Sequence, residues 1–132
     1  MNSSVPIADR QIKSDAFGQW LVRLEELRSL AQGWDSYSAD PPSQDAIART
    51  EQFLSVLQAS GLQPTRIDAS VMGGVGITHR KGRRKVYVEF YNDGRVHALF
   101  SDRTPNMFTT PVDATPESYA ELIAKAREYL DG

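Results

Sequence analysis

Apolar and polar residues alternate along three consecutive segments in the middle of the chain, between Met72 and Ser101. Glycine-containing turns separate the segments, and period-two alternation bounded by such turns predicts antiparallel strands joined as hairpins. One predicted face is apolar and directed toward the core: Val75, Ile77, Val86, Val88, Phe90, Val96, Ala98 and Phe100. The other face is polar and aromatic: Thr78, Lys85, Tyr87, Glu89, Tyr91, Arg95, His97 and Leu99.

The two turns predict how these strands align. A three-residue loop over 92–94, closing with Gly94 in the left-handed region, sets Phe90 opposite Val96. A first turn that closes at Lys81 and Gly82, or that uses all of residues 80–83, sets His79 opposite Arg84. Both alignments direct the same apolar side chains to one face, as a consistent register requires.

Helical periodicity flanks this region. Apolar residues at helical spacing predict a helix from Ser14 or Asp15 to Gly33, and residues 1–13 read as a loose N-terminal arm. Capping residues predict a second helix from Ser43 to about Ser60, and a third that starts at 115–117. We expect a loop over 33–43, an optional fourth strand around Ile67, and a loop over 102–114 whose Met107 and Phe108 tuck under the sheet edge.

The predicted fold class is therefore α+β: a three- or four-stranded antiparallel sheet with helices packed on one face, in the order α-α-β-β-β(-β)-α. Residues 14–132 form one domain in this interpretation, which suits a chain of 132 residues. Hydrophobic residues make up 40% and charged residues 24% of the chain, values typical of a globular protein rather than a disordered one.

The chain has no cysteine, which excludes disulfides, thiolate zinc sites, iron–sulfur clusters and a thiol nucleophile. Its two histidines lack metal-ligand spacing, so we expect no metal and no cofactor. The first residues carry neither a basic flank nor an apolar core of a signal peptide, and no run is long enough to span a membrane. We therefore expect a cytoplasmic protein with no membrane partner.

Positive charge concentrates in the predicted sheet although the formal net charge is −2. Residues 79–103 hold seven basic and three acidic side chains, and both flanking regions are acidic. Five of these cations surround one predicted turn: Arg80, Lys81, Arg83, Arg84 and Lys85. We call residues 79–85 the basic hairpin. Such an asymmetry steers an acidic partner, or serves only to keep an exposed turn solvated.

Two tyrosines, Tyr87 and Tyr91, follow the basic hairpin on the polar face and complete the candidate binding site. Three functions fit these residues. The leading hypothesis is a non-enzymatic protein that binds a larger protein or an acidic surface, in the manner of an inhibitor or antitoxin. One alternative is a nucleic-acid-binding module, in which the cations contact phosphates and the tyrosines stack on bases. The sequence leaves the oligomeric state open.

The other alternative is a small hydrolase. Glu89 and His97 are predicted cross-strand neighbours, and a carboxylate that orients an imidazole makes a general base. A nucleophile beside them is missing. The glycines at 73–76 predict a bulge or close backbone approach rather than a phosphate loop. Trp34 predicts a plug over the core, and the alternative is an exposed aromatic contact site made with Asp35 and Tyr37.

Several short motifs carry a resemblance. They are Gly33-Trp34-Asp35, Ala39 to Ser43, Ser70 with Gly73 to Ile77, and Val88-Glu89-Phe90 with Asp93-Gly94. Over roughly residues 20–100 the chain resembles a group of short bacterial proteins that share a Gly-Trp-Asp loop, a Pro-Pro-Ser helix start, a glycine-rich strand entry and an Asp-Gly hairpin. The resemblance implies a single intact domain and a bacterial or phage source. That group has no established function, so it assigns no catalytic residue.

Overall fold

Three helices and five strands make up the structure, a computed structural model that describes residues 7–132, with side-chain placement given from Phe17 onwards. The elements in chain order are α1 (Ile7–Arg28), α2 (Gln44–Ser60), β1 (Arg66–Ala69), β2 (Gly74–Lys81), β3 (Arg84–Tyr91), β4 (Val96–Ser101), β5 (Phe108–Pro111) and α3 (Pro116–Asp131). Within residues 7–132, none of the helices has the length and apolar content needed to cross a bilayer.

The strands form one antiparallel sheet in which each strand pairs with its neighbours in sequence, in the order β1-β2-β3-β4-β5. The predicted α+β class is confirmed, and so is the extra strand around Ile67, which lies in β1. The sheet has five strands rather than three or four because residues 108–111, predicted as part of a loop, pair with β4. Met107 does not tuck under the edge, since it is 57% exposed. Phe108 is 48% exposed, but its ring stacks on the buried ring of Phe100 at 4.7 Å between centroids.

All three helices cover one face of the sheet. α2 and α3 pack against β2 and β3, while α1 packs against α2 and β1. The apolar face predicted from the sequence lies beneath them: Val88 is 1% exposed and Phe90 is fully buried. His79 joins this core although it was not predicted there. Burial of each large apolar side chain contributes about 1.5–3 kcal/mol, so this face is the main source of stability.

The β3–β4 register is the predicted one, with Phe90 opposite Val96. The predicted β2–β3 register is wrong by two residues. His79 lies opposite Val86 rather than Arg84, and Lys81 pairs with Arg84 across a two-residue turn of Gly82 and Arg83. Gly82 has φ of +60°, the left-handed conformation that such tight hairpins need and that glycine adopts without strain.

The observed helix boundaries differ most from the predicted ones at α1. The helix begins at Ile7 and ends at Arg28, whereas the sequence predicted Ser14 or Asp15 to Gly33. The Ser29 hydroxyl donates to the Glu26 carbonyl at 2.8 Å, and the chain then turns away into the predicted loop. Residues 1–6 of the predicted arm lie outside the described residues, and residues 7–13 belong to α1.

The caps predicted for the other two helices are confirmed. The Ser43 side chain accepts a hydrogen bond from the Ala46 N–H at the start of α2, and Thr115 accepts one from Ser118 at the start of α3. These bonds satisfy N–H groups that a helix start otherwise leaves without partners.

Candidate functional site

The sheet face opposite the helices, here called the open face, carries the predicted tyrosines and part of the basic hairpin. Its central rows, read across the paired strands, are Arg66, Thr78, Tyr87, Leu99 and Thr109, then Asp68, Gly76, Glu89, His97 and Pro111. Arg80 and Lys85 form the row beside the hairpin turn. Tyr87 and Tyr91 are half-buried on this face. As the sequence predicted, no helix covers them.

Tyr87 leans diagonally across the open face onto Gly76. Its direct cross-strand partner is Thr78, yet a Cβ atom at residue 76 would lie 2.7 Å from ring carbon Cε1 of Tyr87. The ring thus fills the space that a side chain would occupy, as aromatic residues commonly do over a strand glycine. Burial, followed by the negative charge of Glu89, raises the pKa of the Tyr87 phenol to about 12, so it is neutral at physiological pH.

Tyr91 lies at the far end of the same strand, away from the basic hairpin. The Arg95 guanidinium sits 4.6 Å from its ring centroid, and the His97 ring meets it edge-on at 5.6 Å between centroids. Burial and the Glu89 charge raise the pKa of Tyr91, while Arg95 acts in the opposite direction. This end of the open face is therefore an aromatic and cationic cluster.

The cations of the basic hairpin divide into two groups. Lys81 pairs with Asp131 at 2.6 Å, and Arg84 donates to the Tyr129 carbonyl at 2.8 Å and lies 4.9 Å from the centroid of that ring. These two cations hold the last turn of α3, where backbone carbonyls lack intrahelical partners and favour positive charge. Two of the seven predicted binding residues thus have structural roles.

The remaining hairpin cations are Arg80, Arg83 and Lys85. Among the described residues none of them forms an ion pair. Arg80 and Lys85 are cross-strand partners on the open face, and Arg83 is exposed in the turn. These three residues, which we call the free cations, give this end of the open face its positive charge.

The carboxylates of the open face already have partners. Asp68 contacts Arg66 at 2.7 Å and Arg23 of α1 at 3.2 Å. Arg23 also donates to the outward-facing Ile67 carbonyl at 2.8 Å, so α1 covers the β1 edge of the sheet. Glu89 accepts a hydrogen bond from the Ser70 hydroxyl. Arginines compensate Asp68, whereas the hydroxyl bonded to Glu89 brings no opposite charge, so the positive charge presented to a partner is confined to the end that carries the free cations.

Glu89 and His97 are cross-strand neighbours, as predicted. The nearest hydroxyl to Glu89, that of Ser70, also accepts from the Met72 N–H at 3.1 Å and thereby serves the β1–β2 turn. Three cavities of about 400, 340 and 240 Å³ lie elsewhere, and neither Glu89 nor His97 lines any of them. From Phe17 onwards, where side chains are described, histidines and carboxylates form no metal-ligand cluster.

The glycines at 73 and 74 make the close backbone approach that the sequence predicted. A Cβ atom at residue 74 would lie 3.0 Å from the Phe90 carbonyl carbon, and Gly74 has φ of +137°. Gly73 also accepts a hydrogen bond from the Asn92 N–H at 3.0 Å, which fastens the β1–β2 turn to the β3–β4 turn. A side chain at position 74 would block this junction.

The loop over 33–43 packs beside these turns. Its Trp34 is half-buried and stands outside the core cluster, so the predicted plug over the core is wrong. The indole N–H donates to the Asp40 carbonyl at 3.1 Å, and Asp35 accepts from the Tyr37 N–H at 3.0 Å. Both residues therefore hold the shape of their own loop.

Sequence reasoning missed one surface feature at this end of the molecule. Val71 and Met72 occupy the β1–β2 turn and are 64% and 74% exposed. The signal was present, since two apolar residues lie where turns usually carry glycine, asparagine, aspartate or serine. Period-two counting did not use it because neither residue belongs to a strand.

Comparison of the chain with family models, with curated proteins and with solved structures finds no match. The resemblance to a group of short bacterial proteins therefore stays a prediction, and the function has to be argued from the geometry.

Proposed function

We propose that the protein is a non-enzymatic binding protein that docks a larger, acidic protein on its open face. The observation that carries this proposal is the division of the basic hairpin. Lys81 and Arg84 neutralise the end of α3, while Arg80, Arg83 and Lys85 have no ion-pair partner among the described residues. Unpaired like charges at one turn repel one another, and a partner's carboxylates relieve that repulsion.

The open face supplies the rest of a protein interface. Tyr87, Tyr91 and Leu99 are half-buried on a sheet whose other face is already covered by helices. Tyrosine and arginine are enriched at interface hot spots because they combine a large contact area with hydrogen-bonding groups. A face with Tyr87 and Leu99 at its centre, Tyr91 at one end and the free cations at the other suits a partner with carboxylates beside an apolar contact.

The experiment compares two charge reversals of equal size. Arg83→Glu alters a free cation in the turn, and Lys125→Glu alters an exposed cation on α3, in the helical layer. Both variants should keep the thermal midpoint of the native protein, because exposed substitutions usually change stability by no more than about 0.5 kcal/mol. Arg84 is unsuitable for this test, since its guanidinium holds α3.

Affinity capture from extracts of the source cell, quantified by mass spectrometry, provides the readout. A partner recovered with the native protein and with Lys125→Glu should be lost with Arg83→Glu, and more completely with Arg80→Glu added. Equal recovery of that partner with all variants would contradict the proposal.

Single-stranded nucleic acid is a second candidate ligand, and the position of Tyr87 favours it. A tyrosine ring that lies across a strand glycine is suited to stacking on a base, as aromatic residues on sheet-based RNA-binding domains do. Binding of this kind weakens steeply as salt rises. A gel shift with a single-stranded oligonucleotide at low salt tests it, and absence of a shift removes this candidate.

A further inference from the structure

The exposed turn of Val71 and Met72 is held in place rather than free to fold back onto the sheet. Gly73 N–H donates to the Ser70 carbonyl at 2.9 Å, Met72 N–H donates to the Ser70 hydroxyl at 3.1 Å, and Asn92 N–H donates to Gly73. These bonds keep two large apolar side chains 64% and 74% exposed. A surface fixed before binding loses less conformational entropy when a partner arrives, which favours contact there.

This turn and the free cations lie at opposite ends of the same strand. β2 begins at Gly74, directly after the apolar turn, and ends at Lys81, directly before Gly82 and Arg83. Eight residues of strand span about 26 Å at the usual rise per residue. The open face thus lies between two different turns: the exposed apolar turn, next to Tyr91 and Arg95, adjoins one end, Tyr87 lies near the middle, and the free cations form the other end.

We infer that the partner docked on the open face contributes one amphipathic α-helix, which lies along β2 and β3 with aliphatic side chains over Val71 and Met72 and carboxylates over Arg80 and Arg83. This inference rests on the proposed function, and it states which end of the partner's helix lies at each end of the open face. A helix of about 17 residues matches a length of about 26 Å. Helices already cover the other face, so the open face is the sheet surface left for a partner's helix to pack on.

The apolar end is what separates this partner from nucleic acid. A phosphate backbone gains from the free cations and from stacking on Tyr87, but it gains nothing from an aliphatic turn. A protein helix gains from both ends, by salt-sensitive attraction at the cations and by salt-insensitive burial at Val71 and Met72. The two ends therefore make separate and measurable contributions.

The test uses three fluorescent probes: an 18-residue helical peptide with leucines in one half and glutamates in the other half of a single face, a matched peptide with glutamates in both halves, and a single-stranded oligo(dT). Binding is measured by anisotropy against the full chain and against two double variants, Val71→Ser with Met72→Ser and Arg80→Glu with Arg83→Glu. We expect the polarised peptide to bind about tenfold more tightly than the all-acidic peptide, a gain that two partly buried apolar side chains can supply.

Each variant should remove one contribution. The serine variant should bring the polarised peptide to the affinity of the all-acidic peptide and leave the all-acidic peptide unchanged. The glutamate variant should weaken both. Equal affinity for the two peptides, together with loss in the glutamate variant, would overturn this inference while the proposed function stands. Failure of both peptides to bind, or tighter binding of oligo(dT) than of either peptide, would overturn both.

Discussion

The ring of Tyr87 lies across Gly76 of the neighbouring strand, where a Cβ atom would come within 2.7 Å of its Cε1. The two residues are diagonal neighbours, since Gly76 pairs with Glu89 and Tyr87 pairs with Thr78. Glycine normally weakens a strand, but here the aromatic ring takes the place of the missing side chain. The pair thus fixes the shape of the open face at its centre.

The effect of a Gly76 substitution on stability should change sign with the residue at position 87. Gly76→Ala in the native background should destabilise the protein by about 1–2 kcal/mol, because the Tyr87 ring is forced off the sheet. In a Tyr87→Ala background the same change should stabilise by about 0.5 kcal/mol, since alanine restricts the unfolded chain more than glycine does. Urea unfolding of the four proteins measures both effects, and additive effects would show that the ring and Gly76 do not interact.

Stability should fall as pH decreases through the range in which a free histidine titrates. Burial lowers the pKa of His79, and the Gln63 carbonyl, 3.1 Å from Nδ1, opposes this only in part. The unfolded chain therefore binds a proton near pH 6.5 before the folded chain does, so the contribution of neutral His79 is complete above pH 6.5 and is lost below it. Urea unfolding at intervals from pH 7.5 to 4.5 measures the loss.

Two histidine variants identify the source of that dependence. His79→Phe keeps a ring beside Phe53 and should flatten the profile between pH 7 and 5, at the cost of the bond to Gln63. His97→Gln, which removes the half-buried histidine of the open face, is the matched variant. If the profile stays steep in His79→Phe and becomes flat in His97→Gln, His79 is not the source of the pH dependence and the prediction is wrong.

Neighbouring arginines of the basic hairpin should differ in their effect on stability. Arg84→Ala removes the bond to the Tyr129 carbonyl and the contact with that ring, and we expect a loss of about 1–2 kcal/mol. Arg83→Ala removes an exposed side chain and should cost no more than about 0.5 kcal/mol. Thermal unfolding of both variants tests the division of the hairpin, which equal losses would refute.

Substitution of Asn92 should cost more stability than substitution of Asn106, the other asparagine in the described loops. Its side chain accepts from the Ser43 N–H at 2.7 Å and donates to the Pro41 carbonyl at 3.0 Å, joining the start of α2 to the β3–β4 turn. Asn92→Ala should cost about 2 kcal/mol, because two part-buried backbone groups lose their partners. The control is Asn106→Ala in an exposed loop, which should change the free energy of unfolding, measured in urea, by no more than about 0.5 kcal/mol.

The buried face of the sheet followed from the sequence because period-two alternation leaves only one way to hide Val88 and Phe90. The β2–β3 register did not follow. A slip of two residues keeps the same side chains on the same face, so the apolar pattern is equally satisfied by both alignments. What selects the observed one is the tight turn at Gly82, whose φ is +60°.

Residues of the candidate site were predictable as exposed cations and tyrosines, but their division was not. Lys81 and Asp131 are 50 positions apart in sequence, and Arg84 meets Tyr129 only because α3 returns to the hairpin. Charge counting cannot distinguish a cation that holds a helix end from one that awaits a partner. β5 escaped prediction for a similar reason, since four residues with two threonines and a proline carry little strand signal until β4 pairs with them.

Strand order has a consequence for how the molecule forms during translation. Every strand pairs with the one made just before it, so the hairpins can close in turn as the chain leaves the ribosome, without waiting for distant segments. α3 is synthesised after the whole sheet, and it brings Tyr119, Leu122 and Ile123 to the core. Until α3 forms, the part of the apolar core that it covers is exposed to solvent, and the nascent chain is most prone to aggregate in that interval.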